Sequence, residues 1–86
     1  MENEVLKQFS ISFHNKLKNT IDAGIRCTVN EAEDKLYIEI NRLGLQYKTS
    51  IDGITEIIQN GDSAIERAFD IVVKRFRSFV NHKFFR

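Results

Sequence analysis

The sequence has no proline, no tryptophan, one cysteine, four glycines and two histidines. Each scarcity excludes something. The single thiol, Cys27, excludes an internal disulfide framework and fits a reducing compartment. Gly24, Gly44, Gly53 and Gly61 stand singly, so there is no glycine-rich loop to cradle a phosphate. His14 and His82 fall on different predicted helices. No C-x-x-C, H-x-x-x-H or clustered-carboxylate spacing accompanies them, so no metal site and no cofactor are expected. No apolar run approaches the ~20 residues of a membrane span. The start, Met1-Glu2-Asn3-Glu4, has no apolar region of the signal-peptide kind, and there is no N-x-S/T sequon. These absences set the expectation of a cytoplasmic protein.

What is present suits a folded domain. The chain has 86 residues, 42% hydrophobic and 29% charged, which argues against a disordered tail and against a coiled coil. That length is read as one domain, 1–86, burying a little over ~60% of its unfolded surface. The net charge is only +1, but it is unevenly spread. Residues 74–86 hold five cations and no acid, whereas residues 1–73 carry a net −4.

The last third organises the rest. Ile65, Ala68, Phe69, Val72, Phe76, Phe79 and Val80 recur every three or four residues, predicting a helix from Ser63 to about His82. Ser63 and Glu66 form an S-x-x-E pattern at its start, the signature of a capping box. At the other end of the chain, Val5, Leu6, Phe9, Phe13, Leu17 and Ile21 predict a helix over about Asn3 to Asp22. The Phe9, Ile11, Phe13 alternation competes as a strand signal, and the longer register favours helix. Gly24 is expected to supply a left-handed helix terminus.

Between the helices, three segments alternate. Ile25, Cys27 and Val29 oppose Arg26, Thr28 and Asn30; Leu36, Ile38 and Ile40 oppose Tyr37, Glu39 and Asn41. After the turn Asn41-Arg42-Leu43-Gly44, Leu45, Tyr47, Thr49 and Ile51 oppose Gln46, Lys48 and Ser50. Short connections make these an antiparallel meander. Ile54, Ile57 and Ile58 suggest a short helical stretch, closed by the turn Asn60-Gly61-Asp62. The fold class is therefore α+β, ordered α-β-β-β-(short α)-α, with two main helices on one face of a three-stranded sheet. The expected core is Leu6, Phe9, Phe13, Leu17, Ile25, Cys27, Val29, Leu36, Ile38, Ile40, Tyr47, Ile51, Ile58, Ile65, Phe69, Val72, Phe76 and Phe79.

No constellation of catalytic residues emerges, and the reading is a protein that is not an enzyme. Cys27 alternates with Ile25 and Val29, so it reads as a small buried hydrophobe rather than a nucleophile. Glu31, Glu33 and Asp34 lie at a hairpin tip and read as a solvated turn.

The basic aromatic end is the most informative stretch. Lys74, Arg75, Arg77, Lys83, Phe84, Phe85 and Arg86 are its candidate partner-binding residues. Three readings are open. The cations form a solvated helix face, favoured near a helix C-terminus by the macrodipole. Alternatively they contact nucleic-acid phosphates. Or the Phe84-Phe85 end anchors a protein partner, a second copy of the chain in a homodimer, or an anionic membrane surface. The outer sheet face carries a single aromatic, Tyr37, which weakens a sheet-based RNA reading.

The element order is similar to that of a double-stranded-RNA-binding domain. That family's last helix opens with a lysine-rich motif, however, and here the opening is Asp62-Ser63-Ala64-Ile65-Glu66-Arg67. Acids stand where phosphates would have to go, and the resemblance is not adopted. In size, in richness in Lys, Ile, Asn and Phe, and in element order, the whole chain resembles small accessory proteins of phages and prophages of low-GC Gram-positive bacteria, anti-CRISPR inhibitors among them. No motif carries that resemblance, so no functional residues transfer. It implies a non-enzymatic protein that binds and blocks a host protein. The leading expectation is thus a small binding protein acting through a protein–protein surface. The alternative is a nucleic-acid-binding module using residues 74–86.

Overall fold

The computed structural model describes residues 2–84, with side chains from Glu4 to Lys83. Its elements are α1 (Glu2–Thr20), β1 (Gly24–Asn30), β2 (Lys35–Arg42), β3 (Leu45–Asp52), α2 (Ile54–Gln59) and α3 (Asp62–Phe84). The strands form an antiparallel sheet in the order β1-β2-β3, so the architecture is the α+β arrangement the periodicities imply.

The competing strand signal in the first segment is resolved by burial. Phe9 and Phe13, one helical turn apart, are both buried, whereas Ile11, on the opposite side of α1, is 46% exposed. A strand would have placed all three on one face.

Period-2 alternation in the strands sets a grid on the inner face. Its rows are Ile25–Ile40–Tyr47, Cys27–Ile38–Thr49 and Val29–Leu36–Ile51. The central strand contributes the fully buried Leu36, Ile38 and Ile40; edge strands have a neighbour on one side only, so Ile25, Cys27, Val29 and Tyr47 are half-buried. This corrects the expected core at those four positions. Ile58, Ile65 and Phe79 are likewise half-buried. The core also takes in Ile21, Ile54, Ala64, Ala68 and Val73.

α1 packs over the β1 side and α3 over the β3 side of the inner face. Phe13 meets Phe69 edge-on, ring centres 5.8 Å apart, and this contact joins the two helices. Tyr47 of β3 lies 6.0 Å from Phe76 and 4.9 Å from Phe79, so α3 runs back along β3 toward the β2–β3 hairpin. Lys16 bridges α1 and α3 by pairing with Glu66 and sits 5.1 Å over the Phe69 ring.

Two local expectations are corrected. α3 begins at Asp62, and the carbonyl of Gly61 accepts from the N–H groups of Ala64 and Ile65. The Glu66 carboxylate turns to Lys16 rather than back to the cap, so the capping box is not formed; an ammonium across the interface attracts it more than a neutral N–H does. Gly24 is not the left-handed terminus of α1: it is the first residue of β1, paired with Asn41, and its φ is not positive.

The left-handed positions lie elsewhere. Leu43 (φ 52°) and Gly44 (φ 81°) form a two-residue hairpin loop of the kind that needs positive φ at both places. Asp34 (φ 56°) ends the β1–β2 loop. Its carbonyl accepts from Ile54 N–H at 3.2 Å, and its Oδ1 accepts from Thr55 N–H at 3.1 Å and Thr55 Oγ at 2.6 Å. Gly53, the N-cap of α2, has no capping side chain, so Asp34, just before the start of the neighbouring strand β2, serves the first turn of α2.

Candidate interaction surface

The sheet has two edges, and the register says which backbone groups each one exposes. Arg42 and Leu45 flank a two-residue loop and so form a hydrogen-bonded pair. Counting in twos, the odd residues of β3 bond to β2, while Gln46, Lys48, Ser50 and Asp52 turn their N–H and C=O outward. In β1 the same count leaves Ile25, Cys27 and Val29 facing outward.

α1 closes the β1 edge. His14 Nε2 donates to the carbonyl of Ile25 at 3.0 Å, and Ser10 Oγ donates to that of Cys27 at 3.5 Å. A carbonyl only accepts, so the proton of His14 resides on Nε2. Residues one helical turn apart rise by ~6 Å, close to the ~7 Å between alternate strand residues, which is why two helix side chains can serve two strand carbonyls. Burial pushes the Cys27 thiol up to about 11, so it stays protonated at neutral pH.

Among the described residues, one side chain guards the β3 edge. Arg75 Nη1 donates to Thr49 Oγ at 3.2 Å and to the carbonyl of Ser50 at 3.3 Å, both in an exposed setting. Beside this edge runs a groove of about 440 Å³ between β3, α2 and α3. Ile57, Ala64, Ala68 and Ile71 give it an apolar floor, and Arg67 and Arg75 line it with two positive charges against the one acid, Asp52. Ile71 is 49% exposed.

The sequence-derived candidates divide as follows. Arg75 is committed to β3. Lys83 lies 5.8 Å over the Phe79 ring. Lys74 and Arg77 are exposed and make no ion pair or hydrogen bond among the described residues, and the same is true of Arg67. Phe84 is the last residue of α3; its side chain lies outside the described residues, as do Phe85 and Arg86. Leu43, at the β2–β3 hairpin, is 80% exposed.

Arg67, Ile71 and Leu43 were missed by sequence reasoning. Ile71 was detectable as the one isoleucine of α3 lying off the apolar stripe. Arg67 carried no signal, because nothing local says that β3 lies beside it.

On the outer face, Glu39 meets Lys48 at 3.7 Å and Asp52 meets Lys35 at 3.6 Å. Tyr37 donates to the Glu33 carboxylate; that bond first, then slight desolvation and the charges of Glu33 and Asp52, raises its hydroxyl above the ordinary range. The described residues hold no grouping of three His, Cys, Asp or Glu side chains able to bind a metal, and no helix long and apolar enough to cross a membrane. Comparison with protein-family models, with curated proteins and with solved structures finds no match to this chain.

Proposed function

We propose that the chain is a small non-enzymatic binding protein that acts through a protein–protein surface made by α3 and the adjoining edge of β3. The observation that carries this reading is the half-exposed Ile71 on an apolar groove floor between Arg67 and Arg75. Protein interfaces use apolar anchors and arginines together. Phosphate recognition needs the cations but has no use for the apolar floor. The blocking role implied by the resemblance to phage accessory proteins would be exercised by the same face.

A second reading, nucleic-acid binding, is favoured by Lys74 and Arg77, which have no intramolecular partner among the described residues. Affinity capture from a cell lysate, at low and high salt and with nuclease, separates the two. A protein retained through nuclease treatment and lost with Ile71→Glu supports the protein surface. Recovery of nucleic acid alone, with a log–log salt slope that falls in the Lys74→Gln/Arg77→Gln double variant, decides for the second.

A further inference from the structure

We infer that the β3 edge accepts an extended acidic segment of a protein partner as a fourth strand, with Arg75 selecting for the acid. This rests on reading the α3–β3 face as a protein-contact surface and adds the chemistry of what docks there.

The two edges differ. On β1, the carbonyls of Ile25 and Cys27 are covered by His14 and Ser10 of α1, and the groove beside it is lined by one cation and one acid, Lys7 and Glu31. The outward N–H groups have no partner among the described residues on either edge, those of Ile25, Cys27 and Val29 on β1 and those of Lys48 and Ser50 on β3; the carbonyls differ, because among the described residues β3 has one held, that of Ser50, by the cation Arg75. An unpaired row of this kind is a template for strand addition.

An incoming strand would place alternate side chains over the groove, above Ile71 and between Arg67 and Arg75. It must also take the Ser50 carbonyl from Arg75. A neutral strand would leave the guanidinium only its bond to the Thr49 hydroxyl among the described residues. A carboxylate at an inward position would receive it in a charge-assisted bond, roughly twice as strong as a neutral one. Arg75 thus keeps the edge closed to neutral chains and opens it to acidic ones. The local charge agrees: Asp52 is already engaged by Lys35, while Arg67 and Lys74 have no acid paired with them among the described residues.

The test uses the whole chain and fluorescein-labelled, end-blocked nonapeptides of alternating valine and glutamate, with valine–glutamine and valine–lysine counterparts. Anisotropy measures affinity, and amide hydrogen exchange locates the contact. The N–H groups of Lys48 and Ser50 face away from β2, so Lys48→Pro and Ser50→Pro remove edge donors without breaking the ladder. Thermal melts confirm which of the two is folded. The expected result is a preference of roughly tenfold or more for the glutamate peptide over the glutamine peptide, the difference between a charged and a neutral hydrogen bond. Exchange at the Lys48 and Ser50 amides should slow, proline should abolish binding, and Arg75→Ala should erase the preference.

Equal binding of the three peptides, protection at β1 instead, or a proline variant that binds as wild type would overturn strand addition; the exchange pattern of the wild-type protein decides even if both proline variants fail to fold. If Ile71→Glu abolishes capture of a lysate protein and a folded proline variant does not, strand addition falls and the protein-contact surface stands. If capture yields only nucleic acid and no peptide binds, both fall.

Discussion

Asp34 is the position where a single substitution separates two structural terms. Its Oδ1 receives the Thr55 N–H and hydroxyl, and its backbone holds φ at 56°. Asp34→Ala removes both acceptor bonds, a capping loss of about 1 kcal/mol. It also places a Cβ without a compensating polar group in the left-handed region, about 1–2 kcal/mol more. The sum is about 2–3 kcal/mol, or roughly 10–20 °C of melting temperature for a domain this small. Asp34→Gly keeps the backbone conformation and loses the cap, so it should cost about 1 kcal/mol. Asp34→Asn keeps an acceptor oxygen and tolerates the left-handed region, so only a few tenths of a kcal/mol should be lost. Thermal and urea melts of the three variants should rank them Asn, Gly, Ala in order of increasing damage. An alanine variant melting within a few degrees of wild type, or a glycine variant worse than alanine, would refute the assignment of Asp34 as the cap of α2.

Three further outcomes are expected. Leu43→Asn, which puts a residue suited to positive φ at an 80%-exposed position, should stabilise the fold by about 0.5–1 kcal/mol in urea titrations. Phe69→Ala and Phe76→Ala should each cost about 3–5 kcal/mol, and the half-buried Phe79 clearly less; equal losses at Phe76 and Phe79 would contradict the packing of α3 on Tyr47. Cys27, its thiol raised to about 11, should react slowly with iodoacetamide at pH 8. Because the folded value lies above the unfolded one, its contribution to stability is complete below the unfolded pKa, near 9, and is lost as pH rises toward 11. Cys27→Ala should remove that part of the alkaline decline in melting temperature.

The elements were legible because each is announced within a few residues. Phe9 and Phe13 share a helical face whatever lies nearby, and Leu36, Ile38 and Ile40 share a strand face. The degree of burial was less legible. Cys27 and Ile38 alternate equally well, yet Ile38 is covered on both sides and Cys27 on one; strand order decides that, not pattern. Ala64 and Val73 are buried because α2 and the sheet crowd α3 more widely than its stripe suggests.

The candidate site was legible in charge and not in geometry. The excess of cations after residue 73 is in the sequence, and Lys74 and Arg77 do face outward. That Arg75 turns instead to the carbonyl of Ser50, 25 residues earlier, is not. Nor is the reach of Asp34 to Thr55 across 21 residues, or of Lys16 to Glu66 across 50. Hydrophobic periodicity is a property of neighbouring residues, so the chain carries it before it folds. A hydrogen bond between distant groups exists only once packing has brought them within ~3 Å. The sequence therefore determined the helices, the strands and the sign of the charge on α3. Only the tertiary structure decided which cations are spent inside the fold and which face outward.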